Sequence, residues 1–182
     1  MPSATCECVG CSAGKRPRAD RCEGITRILV AGIGNIFLGD DGFGPEVLRH
    51  AARRDDPRIR MTDYGIGGMH LAYDLLDGYD ALVLVDALPD RGAPGTVHVF
   101  EADTENASAT VGLDAHAMDP AAVFAGLAAL GGSPPRTVVI GCEVYDVDER
   151  MGLSEGVAAA VPRAVRALDD VLSGLLTPVR EG

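Results

Sequence analysis

A five-residue apolar run, ALVLV at 81–85, followed by Asp86, limits most strongly what this chain can fold into. Continuous rather than alternating apolar residues suit a strand covered on both faces, as in a parallel sheet held between two layers of helices. The flanking sequence fits that frame. RILVA at 27–31 reads as a buried strand stopped by Gly32, and 45–53 as a helix carrying Val47, Leu48 and Ala51 on one face. Pro45 is tolerated there because the first helical turn needs no N–H partner. Residues 58–62 alternate Ile59 and Met61 against Arg58 and Arg60, a second strand broken by Gly65, Gly67 and Gly68, and 69–76 form a short helix.

Beyond the ALVLV run, PDRGAPG turns the chain into TVHVF at 96–100, a strand expected to run antiparallel at or near one edge. An Ala-rich helix at 120–130 closes on Gly131-Gly132, and TVVIG at 137–141 is the last strand. Residues 153–176 form a long amphipathic helix whose stripe includes Val157, Val161, Ala164, Leu168 and Leu172. This alternation predicts an α/β three-layer sandwich: a mostly parallel, twisted, five-stranded sheet with helices on both faces. The domain is expected over 27–176, with a Cys-rich disordered tail at 1–26, a short tail at 177–182, and no internal repeat.

Composition excludes several classes. At 182 residues and 47% apolar content the chain can bury a real core. A net charge of −11 disfavours nucleic acid, which needs a basic face. No apolar run approaches the ~20 residues of a membrane helix, and residues 1–14 lack a basic start with an apolar stretch behind it. A cytoplasmic protein without a membrane partner is expected. Cys6, Cys8, Cys11 and Cys22 crowd into the tail and only Cys142 lies in the body, which is no disulfide framework. The tail thiols offer zinc or an iron–sulfur cluster a site; the competing reading is a disordered tail without metal. Cys142 is expected in the core.

The stretch GIGNIFLGDDGFG at 32–44 suggests a dinucleotide loop at first sight, but it is not one. Phe37 stands where the third glycine of G-x-G-x-x-G belongs, Asp40 and Asp41 would repel a pyrophosphate, and no lysine is present for a Walker-type loop. In open α/β sheets, ligands sit beyond the carboxyl ends of the strands. Asp40 and Asp41, Asp86, and His116 in GLDAHAMDP are all placed to converge there. Two carboxylates and an imidazole can hold a divalent transition metal with open positions. Each also has a plainer reading: a helix cap for Asp40 or Asp41, a turn for Asp86, a surface side chain for His116. His98 and His50 read as solvent-facing, and His70 as a spare ligand at the crevice.

Taken in order, GIGNIFLGDDGFG, DYGIGGM at 63–69, LVLVDAL at 82–88, APGTVHVF at 93–100, the loop histidine His116 and VIGCEVYDVDERMGLS at 139–154 resemble the hydrogenase maturation proteases. These endopeptidases process the large subunit of [NiFe] hydrogenases. The resemblance implies removal of a C-terminal extension from a large-subunit precursor after nickel insertion. Nickel would come with the substrate, and Asp41, Asp86 and His116 would be both the metal ligands and the catalytic residues. Asp41 replaces the glutamate of many relatives, and the tail has no counterpart in the family pattern. A monomer is expected. Gly65–Gly68 and Glu101–His116 are expected to wall a substrate groove. Two rivals stand beside this reading: a nucleotide-binding α/β enzyme, and a nickel metallochaperone that binds without cutting.

Overall fold

The computed structural model describes residues 27–52, 54–102 and 120–177. The tail cysteines, His116 and most of the polar stretch before it lie outside the described residues. Strands β1 (Ile28–Ile33), β2 (Ile59–Gly65), β3 (Ala81–Leu88), β4 (Val97–Glu101) and β5 (Arg136–Glu143) form one sheet in the order β2-β1-β3-β5-β4. Every pairing is parallel except β4 with β5, so the turn-linked strand is the antiparallel edge.

Burial explains the order. The central strands β1 and β3 are the continuous apolar runs, whereas the edge strands β2 and β4 alternate and stay partly exposed. Successive strand residues point to opposite faces. Ile28, Val30, Val83 and Val85 therefore pack under helices α1 (Phe43–His50), α4 (Glu155–Ala158) and α5 (Val161–Leu176). Leu29, Ala31, Leu82 and Leu84 pack under α2 (Gly68–Leu75) and α3 (Pro120–Ala129). The result is the expected three-layer sandwich.

Three of the differences from the sequence reading exceed a shift at an element's end or change a residue's place. The helix expected at 45–53 begins at Phe43 and ends at His50. The β3 strand runs through Asp86 to Leu88, so Asp86 stands inside the strand and not at its end. The single helix expected at 153–176 is two, α4 and α5, because Pro162 has no N–H to bond the preceding turn and opens α5 instead.

The chain turns from β1 into α1 through a 3-10 turn at Gly39–Gly42, and two glycines make this possible. Gly34 has φ of 130°, and a Cβ there would fall 1.9 Å from the Asp41 carbonyl oxygen. A Cβ on Gly44 would fall 2.3 Å from the carbonyl oxygens of both Ile33 and Val85. The first turn of α1 thus rests directly on the carboxyl ends of β1 and β3. The approach these glycines permit is that of the protein's own backbone.

Candidate active site

The loop after β1 delivers two adjacent carboxylates to different tasks. Asp41 lies in the 3-10 turn with 5% of its surface exposed, and its Oδ2 accepts a hydrogen bond from the Asn35 N–H at 2.6 Å. Asp40 is fully buried and makes no helix cap. Its carboxylate accepts from the Ser154 N–H at 2.5 Å, the Ser154 hydroxyl at 2.9 Å and the Asp146 N–H at 3.2 Å. The Arg150 guanidinium lies 3.7 Å away and pairs with Asp146 at 2.9 Å. Asp40 therefore clamps the β5–α4 loop to the β1–α1 loop, and the helix-cap reading of Asp40 does not hold.

Asp86 reaches the same end of the sheet from β3. Residues alternate along the strand, so Asp86 shares the face of Leu82 and Leu84, toward α2 and α3. Its Oδ1 accepts from the Ala87 N–H at 2.8 Å. Its carboxyl group is held well above the ordinary carboxylate pKa, first by desolvation and further by the negative charge of Asp41, against the opposing Ala87 hydrogen bond. Two carboxylates that feel each other in a poorly solvated site call for a cation. Among the described residues no three His, Cys, Asp or Glu side chains form a metal-binding group.

The third expected member, His116, precedes α3, whose placement is described. A Cβ on Gly126 of α3 would lie 3.5 Å from Met69 in the first turn of α2, and one on Gly132 beyond α3 would lie 2.9 Å from Leu76 beyond α2. The two helices thus run side by side in the same direction. Pro120, six residues before Gly126, therefore begins α3 at the carboxyl end of the sheet, beyond the start of α2. Gly65–Gly68, one expected groove wall, lies at this end too, with the Gly34 N–H donating to the Gly65 carbonyl at 3.0 Å.

The remaining histidines follow expectation for His50 and depart from it for His98. His50 is exposed, and His70 is exposed on α2. His98 does not simply face solvent: its Nε2 lies 2.7 Å from Glu143 Oε1. Glu143 is buried, and its Oε2 accepts from the Arg91 and Ala93 N–H groups at 3.0 and 3.1 Å. The His98 interaction holds the Glu143 pKa below the ordinary value. Glu143 thereby ties down the β3–β4 connection just beyond Asp86, a role the sequence reading missed. A lone acid at the end of a strand pattern carries no signal for it. Cys142 is buried as expected, and burial pushes its thiol pKa up to about 12.

The fold and site together define a three-layer α/β protein with Asp41 and Asp86 at the carboxyl end of its sheet. The chain belongs to the hydrogenase maturation protease family, whose family model matches residues 46–170. The Hydrogenase 2 maturation protease of Escherichia coli is 29% identical over 152 residues, covering 82% of this chain and 90% of its own. The hydrogenase expression/formation protein HupD of Rhizobium leguminosarum is 30% identical over 150 residues, covering 80% and 74%. The solved structure of the hydrogenase maturating endopeptidase HybD from Escherichia coli superposes with a TM-score of 0.69 at 26% identity, covering 82% of this chain and 93% of that one.

Proposed function

We propose that this protein is an endopeptidase that removes the C-terminal extension of a [NiFe] hydrogenase large-subunit precursor once nickel has been inserted. It acts as a cytoplasmic monomer; no helix among the described residues is long and apolar enough to cross a membrane. The observation that carries the reading is that the loop after β1 and the end of β3 bring Asp41 and Asp86 to the same carboxyl end of the sheet. Nickel arrives as part of the substrate, and Asp41, Asp86 and His116 are the groups that meet it. The start of α3 at this end of the sheet supports His116 in that role, since His116 stands only four positions before Pro120 in the sequence.

Hydrolysis of a peptide bond needs an activated water and stabilisation of charge on the carbonyl, and a metal beside the scissile bond can supply both. This chain's residues prepare the place. The Asn35 N–H fixes the Asp41 carboxylate, the Ala87 N–H fixes that of Asp86, and Asp86 gives up its raised affinity for a proton when a cation comes in. A second route makes nickel a recognition element only and uses a carboxylate as the general base. The upward displacement of the Asp86 pKa favours that role for Asp86, because a base works best with a pKa near the operating pH.

Precursors loaded with nickel, loaded with zinc, or left without metal test the reading. Cutting of the nickel form alone is the expected result; equal rates for nickel and zinc forms would remove nickel recognition from the account. A metallochaperone would instead hold nickel tightly by itself and cut nothing. Zinc or an iron–sulfur cluster at Cys6, Cys8, Cys11 and Cys22 is a separate proposal, tested by metal analysis of protein purified without air.

A further inference from the structure

Asp41 is recessed, yet the loops at the same end of the sheet display large apolar side chains to solvent. Phe37 is 61% exposed, Ile66 64%, Tyr145 76% and Met151 71%. They sit on the loops that follow β1, β2 and β5, all at the carboxyl end of the sheet. Hydrogen bonds join those loops into one rim. The Gly34 N–H donates to the Gly65 carbonyl at 3.0 Å, linking the first two. The Arg150 N–H donates to the Phe37 carbonyl at 3.0 Å, and the Gly39 N–H to the Arg150 carbonyl at 2.8 Å, linking the first and third. The buried Asp40 clamp adds to that second link. The side chains are therefore presented on fixed backbone, a pre-organised surface of the kind that lowers the ordering cost of binding. Neither core packing nor the chemistry of the acid pair explains why they are apolar. Exposed Asp63, Asp148 and Glu149 stand among them.

Resting on the function proposed above, we infer that Phe37, Ile66, Tyr145 and Met151 form a docking collar for the precursor polypeptide. The collar takes apolar side chains flanking the metal-bearing segment, with basic groups of the precursor meeting the interspersed acids. Recession dictates this arrangement. With Asp41 only 5% exposed, a polypeptide that presents a metal and a scissile bond to it must lay its flanks on the rim. The collar is thus continuous with the site and is covered only when the substrate is seated.

The test uses the full-length chain and a nickel-loaded full-length precursor, with affinity read by calorimetry and cleavage by intact mass. The triple variant Phe37→Ser, Ile66→Ser, Tyr145→Ser is compared with Tyr73→Ser and Leu130→Ser, exposed apolar positions on α2 and beyond α3. Loss of an anchoring side chain at an interface costs about tenfold or more in affinity. The triple variant is expected to weaken binding and raise KM at least about a hundredfold, with kcat and thermal midpoint unchanged, while the two controls behave as wild type. Unchanged affinity and KM in the triple variant would overturn the collar. So would a loss of self-association in sedimentation with precursor affinity intact, which would make this a contact between copies of the chain. Wild-type binding through the collar without cleavage would leave the collar standing and remove the peptidase reading; a wild type that neither binds nor cuts removes both.

Discussion

Replacing Gly44 by alanine probes whether the acid loop is positioned by direct contact between α1 and the sheet. The added Cβ would sit 2.3 Å from the Ile33 and Val85 carbonyl oxygens and 2.7 Å from the Ile33 nitrogen, where ordinary contact begins at 3.4 Å. The difference, 3.4 minus 2.3, requires about 1.1 Å of movement, and all three neighbours are backbone atoms of central strands. Helix α1 must lift, because β1 and β3 are held on both sides. Overpacking of this kind costs about 1–3 kcal/mol, and in a domain of this size each kcal/mol lowers Tm by about 2–4 °C. The lift also carries Asp41, three residues upstream, away from Asp86. A misplacement of about 1 Å at a reacting centre can cost about a hundredfold in rate. Initial rates of precursor cleavage and a thermal melt of the same preparation measure both. A variant with a rate within about twofold of wild type and an unchanged Tm would refute the contact argument. Gly174→Ala is the matching control. Nothing lies within 4 Å of its Cβ on the exposed side of α5, so stability is expected to rise by about 0.5–1 kcal/mol with activity unchanged.

Asp40→Ala leaves the Ser154 and Asp146 N–H groups without their buried acceptor and removes the negative charge that faces the Arg150 guanidinium; we expect a loss of about 3 kcal/mol or more by urea denaturation. Asp86 has a folded-state pKa raised above its ordinary 3.8, so the native protein holds a proton that the unfolded chain releases. Stability of the metal-free protein therefore falls as pH rises from 3.8 through the raised value. Asp86→Asn should flatten that fall and be more stable than wild type at neutral pH; a stability–pH curve parallel to wild type would contradict the assignment. Cys142, with its thiol pKa pushed up to about 12 and no exposure, should resist alkylation in the native protein and react on unfolding, as read by peptide mass mapping.

The strand pattern was legible because burial on two faces writes itself as continuous apolar runs, as in β1 and β3. The placement of Asp41 and Asp86 toward the carboxyl end of the sheet was legible because each follows an apolar strand run in an open α/β pattern. From residue type and spacing alone Asp40 was not separable from Asp41, and only the family resemblance singled out Asp41. Two adjacent identical side chains carry no mark of which one turns inward, and the partners of Asp40 lie more than a hundred residues away. The Glu143 tie to the β3–β4 connection was hidden for the same reason. The split between α4 and α5 was readable in principle, since Pro162 cannot complete a hydrogen bond to the preceding turn, but the apolar stripe runs on through the break.

The most direct measurement is intact-mass spectrometry of a nickel-loaded large-subunit precursor mixed with wild-type protein, Asp41→Ala or His116→Ala. A discrete C-terminal mass loss with the wild type and none with either variant is the result this account predicts. An intact precursor after incubation with wild-type protein, or equal cutting by the Asp41→Ala variant, would contradict it.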